Sequence, residues 1–476
     1  MKPALGTSLL AVCFGPVLAQ AQFSQFQHVV IIVQENRTPD NLFQGLCRPP
    51  FGSARSCSAS PNASQYNILT RGWLDAKTPG GKTQPLPVAL ANKYDLSHTH
   101  AAFLAMCDVD PFSSACRMDG AADVPCTGTC PARAQFRAVD NSRGAVDPYL
   151  QLARQYGWAN YMFQTNQGPS FPAHQFLFGG TSAPFAVDDA AGFFAAENTS
   201  GATHPAGCAA PVGTTVALIG PSGDEVFEMY PCFEHSTLPD LLPLNFSWKY
   251  YAPSAGSIWT APNAIQHICE STGPGGQCGG LIWNDNVDLM PADVLKDIKS
   301  CNLASLSWVI PTGANSDHAG VSDGGGPSWV AAIVNAIGKS KACDGYSGYW
   351  DNTAIVITWD DWGGWYDHEP PTILPYPLSA YEYGFRVPLL FVSAYTPRGY
   401  INNGRQDFGS ILRFVEQNFG IEEGALNFAD ARAASDLTQF YNFNLQPRAF
   451  VPIAAPKGAD FFLSDKRPVT DPDDDN

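Results

Sequence analysis

The chain has 476 residues, 45% hydrophobic content and a formal net charge of -17 at neutral pH. Such a composition fits a folded globular protein rather than a disordered or fibrous one. The acidic balance argues against electrostatic binding to nucleic acid or to an anionic membrane surface, so any polyanion that binds must meet a local cation.

Met1–Ala21 reads as a secretory signal: Lys2 gives a positive start, an apolar core follows, and Ala19-Gln20-Ala21 supplies a small-residue cleavage site. A secreted or periplasmic location is therefore expected. Cys13 would leave with the signal, and the 12 cysteines that remain form an even set that reads as disulfides. Cys47–Cys57, Cys208–Cys232, Cys269–Cys278 and Cys301–Cys343 are working pairings, although connectivity is not readable from order alone. Cys126 and Cys130 have finger-like spacing, but no second ligand pair completes a zinc site.

The first predicted strand is His28–Gln34, an unbroken apolar run that turns abruptly polar at Glu35-Asn36. Segments rich in Gly, Pro, Ser and Cys follow near 44–90, 105–135 and 185–235, and read as disulfide-tied insertions into one catalytic domain spanning 22–455. His98 and His100 lie between the first two, in "YDLSHTH". Between the second and third, "GPSFP" fixes Ser170 in a loop stiffened by two prolines, with Thr165 as a less rigid competitor.

Further strands are expected at Ser305–Pro311, Thr353–Trp359 and Val387–Ala394, and helices at Ser328–Ser340 and Ser410–Gly420. The strands lack strict alternation, which suits a mostly parallel sheet covered on both faces. The stretch 456–476 reads as a polar tail. No stretch after the signal has about 20 consecutive apolar residues, so no membrane-spanning helix is expected.

In parallel sheets, chemistry collects where strands end. Here two strand ends carry ligand pairs, Glu35-Asn36 and Asp360-Asp361, the second followed by Gly363-Gly364. One such acid is ordinarily a solvated loop residue, whereas two pairs in one sheet point to a hard divalent cation. Oxygen donors suit Ca, Mg or Mn, and a nearby histidine would admit Zn or Fe. Ser170 is a nucleophile if a metal or base lowers its pKa, and a plain turn serine otherwise. His98, His318 and His368 are candidates for phosphate contacts or proton donation.

The blocks "HVVIIVQENRTPDNLFQG", "YDLSHTH", "GPSFP", "LSWVIPTGANSDHAG", "TAIVITWDDWGGWYDHEPP" and "GFRVPLLFVSAYTPRGYI" occur in this order. Together they resemble the bacterial phosphoesterase family of non-specific phospholipases C and secreted acid phosphatases, within the alkaline-phosphatase-like superfamily. The resemblance implies a three-layer α/β/α sandwich with a mostly parallel central sheet. It implies that Glu35, Asn36, Asp360 and Asp361 bind a divalent metal, with Ser170 as nucleophile. His98 and His318 would then hold phosphoryl oxygens or protonate the leaving group. The implied function is metal-dependent phosphoric ester hydrolysis through a phosphoserine. Cleavage of phospholipid diesters is the alternative, and a non-catalytic metal-binding protein a more remote one. Three departures stand out. Pro172-Ala173-His174 replaces the phospholipases' Pro-Asn-Arg, Phe408 replaces a usual His, and Trp362 replaces another.

Overall fold

The run His28–Gln34 forms strand β1, and every residue of it is buried. A strand with no exposed face must be flanked and covered, and β1 lies inside an eight-stranded sheet. Numbered in chain order, the others are β2 (Gly157–Met162), β3 (Trp248–Tyr251), β4 (Val287–Asp288), β5 (Leu306–Val309), β6 (Thr353–Trp359), β7 (Leu389–Val392) and β8 (Tyr400–Gln406). Their spatial order is β4-β3-β5-β1-β6-β7-β2-β8. Within this sheet β7 alone runs against the rest. The computed structural model describes residues 25–199, 205–343, 348–372, 383–467 and 469. The expected signal Met1–Ala21 lies outside them.

Six helices matter for the site and its support: α1 (His100–Cys107), α2 (Asp147–Gln155), α3 (Ser170–Gly179), α4 (Gly326–Lys339), α5 (Phe408–Phe419) and α6 (Ala459–Leu463). α3 packs on α5, while α4 packs on α2 and α6, which gives the two outer layers of an α/β/α sandwich. α5 starts two residues before the expected Ser410. Asp407 caps it there, with its side chain accepting from the Ser410 amide and the Ser410 side chain reaching back.

Two large apolar clusters divide most of the interior among the described residues. The larger joins the sheet to its helices. The smaller gathers Trp73, Tyr94, Phe103, Phe136, Trp362, Trp365 and Phe385 from the first two insertions and the segment between them, from α1 and from the chain after β6. The insertions thus have their own packed base beside the carboxyl end of β6. Six disulfides are present, including the four working pairs and Cys107–Cys116. Cys126–Cys130 is the sixth, so the finger-like pair is a covalent link and not half of a zinc site.

Part of the expected polar tail is packed. Phe462 is buried against Trp329 of α4, with ring centroids 5.1 Å apart, and Arg467 donates to Asn315 Oδ1 at 2.9 Å. A buried phenylalanine supplies the anchoring that charge alone would not. Among the described residues no helix is long and apolar enough to cross a membrane.

The Cys301–Cys343 bridge closes the longest disulfide loop, at a sequence separation of 42. Replacing both cysteines by Ala is expected to lower unfolding stability by about 2–4 kcal/mol, measurable by denaturant titration.

Candidate active site

Register builds the site. Gln34 of β1 pairs with Trp359 of β6, so the next residues on each strand, Glu35 and Asp360, emerge side by side. The pairing continues past the strands: the Asp360 amide donates to Gln34 O at 3.0 Å and the Arg37 amide to Asp361 O at 3.1 Å. Asn36 takes the left-handed conformation, φ 61°, which Asn tolerates better than most residues. Its amide donates to Asp360 Oδ1 at 3.1 Å.

Gly363 and Gly364 fold the chain back beneath these acids, with φ of 61° and 69°. A Cβ on Gly363 would lie 2.5 Å from Asn36 Cβ, and one on Gly364 would lie 2.4 Å from Leu96 Cβ. The glycines are required by this close approach as well as by the turn.

Ser170 is the first residue of α3, at the helix end where free backbone N–H groups favour an anion. Its Oγ donates to Asp361 Oδ2 at 3.3 Å, and Asp361 Oδ1 accepts from the Gly363 amide at 2.6 Å. Thr165, the less rigid competitor, has its Oγ1 accepting the Phe408 amide at 2.9 Å. Phe408 thereby ties the start of α5 to the segment before α3.

Glu35, Asn36, Asp360 and Asp361 are all completely buried. Both oxygens of Glu35, Asn36 Oδ1 and Asp360 Oδ2 have no hydrogen-bond partner. Burial, with repulsion from Asp360 next, pushes the Glu35 carboxyl well above its ordinary range. Burial also works against ionised Asp360, but the Asn36 amide that donates to its Oδ1 is among the groups that hold it below its ordinary range. Oxygen atoms left unsatisfied in a dry interior are costly, and a cation is the group that satisfies them together. The donor set therefore fits a divalent ion.

His174 lies beside these acids, and sequence reasoning did not single it out. It sits one turn after Ser170 on α3, with Nε2 3.4 Å from Glu35 Oε1 and 3.7 Å from Asp360 Oδ2. Glu35, His174 and Asp360 offer ligand atoms within 4.8 Å of one another. Burial lowers the imidazole pKa to about 4, so the ring is neutral despite lying within ion-pair distance of two acids. The i, i+4 spacing of Ser170 and His174 was the available signal, since both lie on one helix face.

The predicted histidines separate. His98 accepts from Asn36 Nδ2 through Nε2 at 3.1 Å, while its Nδ1 donates to Leu96 O at 3.0 Å. His318 lies beside it, with ring centroids 5.7 Å apart, and its Nδ1 donates to Ala319 O at 2.7 Å. His368 is elsewhere: Nδ1 contacts Asp40 Oδ2 at 2.7 Å and Nε2 contacts Asn67 Oδ1 at 2.9 Å. Asp40 and Asp367 join it in a second acidic group, but buried Arg386 binds Asp367 through two nitrogens at 3.0 Å each. That group already holds its cation. Trp362 stands edge-on to His98 at 6.2 Å, a packing contact in place of a histidine's polar one.

The third insertion supplies a wall. The Asn198 side chain accepts the Phe171 amide at 3.0 Å, and Glu197 accepts the His100 amide at 2.8 Å. Burial pushes the Glu197 carboxyl up to about 8 against that amide, with repulsion from Glu225 adding to the shift. An acid whose folded pKa is raised contributes its full stability below the ordinary value and loses it as the pH rises through about 8. Glu197→Gln stays neutral, so its melting temperature is expected to gain on wild type between pH 5 and pH 9, read by scanning fluorimetry.

A model of the Phosphoesterase family matches residues 26–422, and the chain belongs to that family. It is 26% identical over 179 residues to a non-hemolytic phospholipase C of Pseudomonas aeruginosa, covering 32% of this chain and 25% of that one. The same organism's hemolytic phospholipase C is 22% identical over 280 residues, covering 50% and 38%. Phospholipase C B of Mycobacterium tuberculosis is 27% identical over 184 residues, covering 34% of each. The matched stretches thus span between 25% and 38% of these relatives' length. A solved alkaline phosphatase superfamily protein from Vibrio parahaemolyticus matches with TM-score 0.32 at 11% identity, covering 62% of this chain and 64% of that one.

Proposed function

We propose that the protein is a metal-dependent phosphoric ester hydrolase that works through a phosphoserine on Ser170. The observation that carries the reading is a serine hydroxyl at a helix N-terminus, 3.3 Å from Asp361, beside buried oxygens that lack any partner. Glu35, Asn36, Asp360 and Asp361 would hold the ion. When bound, a divalent cation supplies charge neutralisation and lowers the pKa of an adjacent hydroxyl.

The chain's own groups divide the remaining work. Ser170 Oγ gives up its proton toward the Asp361 carboxylate and attacks phosphorus in line, displacing the alcohol. The N-terminal amides of α3 face the charge that develops on the phosphoryl oxygens. His98 has both ring nitrogens engaged, and by holding Asn36 Nδ2 it turns Asn36 Oδ1 toward the acid cluster. We therefore assign orientation to His98 and protonation of the departing alcohol to His318. Water then cleaves the phosphoserine, with the same histidine taking the proton back.

Ser170→Ala is expected to lower the rate on p-nitrophenyl phosphate by at least about a thousandfold with the fold intact. A variant as active as wild type would sink the assignment, as would Asp360→Asn with unchanged metal content and rate. Cleavage of phospholipid diesters is the second reading, favoured by the phospholipase C names of the relatives. Rates on p-nitrophenyl phosphate and phosphatidylcholine, compared across pH, separate the two. The six disulfides support an oxidising compartment.

A further inference from the structure

We infer that His174 is a nitrogen ligand in the cation site, and that it makes the site select a zinc-class transition ion over calcium or magnesium. The inference rests on the metal-dependent reading above and deepens it, because the four residues assigned there are all oxygen donors.

Three observations converge. The first is place: His174 follows Ser170 by one helical turn, so the imidazole enters the site from the same side as the hydroxyl. The second is satisfaction. Nε2 is buried and has no hydrogen-bond partner, and the same holds for the Glu35 and Asp360 oxygens that it faces. The third is tautomer. Tyr250 Oη donates to Trp259 O at 2.8 Å, so at His174 Nδ1, 3.4 Å away, the phenol oxygen is left to accept. Nδ1 carries the proton and Nε2 presents its lone pair to two carboxylates.

A lone pair aimed at carboxylate oxygens is repulsive unless a cation or a proton stands between them. An imidazolium or a protonated Glu35 would remove the repulsion too, but either would close to the roughly 2.7–2.9 Å of a strong hydrogen bond. The observed separations are 3.4 Å and 3.7 Å, and neither is a hydrogen bond. They match the edges of a coordination shell instead, since metal–ligand bonds of about 2.1 Å leave neighbouring ligands roughly 3–3.6 Å apart. Tyr250 is then the outer partner that fixes the ring, as a metal-bound histidine ordinarily requires. Calcium and magnesium favour oxygen donors, whereas imidazole favours zinc and its neighbours.

The test is direct metal binding by chelator competition on wild type, His174→Gln and Tyr250→Phe, each checked for its fold by circular dichroism. Wild type is expected to bind zinc more tightly than calcium or magnesium. His174→Gln should weaken zinc at least about a hundredfold while leaving calcium and magnesium nearly unchanged. Tyr250→Phe should weaken zinc by about tenfold, at the low end for loss of an outer partner, and it decides the matter if His174→Gln does not fold. Cobalt-loaded wild type should show a hyperfine-shifted, solvent-exchangeable proton from Nδ1–H in its NMR spectrum, lost in His174→Gln. Zinc binding unmoved in the folded variants, or calcium or magnesium binding tighter than zinc, overturns this inference alone. A wild type that binds no divalent ion overturns both this inference and the metal-dependent reading.

Discussion

The site depends on one pairing, the parallel register of β1 and β6. Because Gln34 lies opposite Trp359, the next residues of both strands meet as Glu35 and Asp360, with Asn36 and Asp361 following. A one-residue slip would separate them and would also exchange the two packed faces of the strand that moved. Core packing and the geometry of the acid cluster are therefore specified by the same contacts. The penalty for gathering three buried acids is met by the many apolar residues that hold the register.

Around this pair the chain builds two supports of different kinds. On one side, the aromatic cluster beneath the first two insertions fixes Trp362 and Phe103 behind His98. On the other, the third insertion caps α3 through Asn198 and leans Glu197 on the start of α1. Glycine governs how tightly these parts close. At Gly168, for example, a Cβ would lie 2.1 Å from Ala196 O, so the loop before α3 and the insertion wall touch backbone to backbone. The disulfides within the insertions hold segments that have little regular structure of their own.

The strands that were legible in the sequence are those buried on both faces, β1, β5 and β6, because complete burial writes an unbroken apolar run. β8, "YINNGRQ", was not legible, since it is an edge strand that keeps a partly exposed polar face. β7 was legible as a strand, but its antiparallel direction is set by the chain's return path and not by composition. Ser170 and the two acid pairs were readable from their rigid or abrupt local settings. His174 was read as the loss of an arginine, because its partner Tyr250 lies 76 residues away and reveals itself only when strand β3 packs against α3. His368 looked like Gly-rich, polar site material, yet Asp40, from a segment 328 residues distant, claims it.

The distance in sequence between the two halves of the acid cluster has a consequence for biosynthesis. Asn36 and Asp360 are 324 residues apart, and their contact closes only after β6 joins the sheet. Pairings of such high sequence separation form late, after the loop entropy between them has been overcome. A growing chain that has not yet released Asp360 and Asp361 has a serine and half of an acid cluster, but no complete site. Any fragment cut between α3 and β6 is in the same position. Whatever chemistry the site performs is thereby withheld until β6 and the residues that follow it have been made and folded.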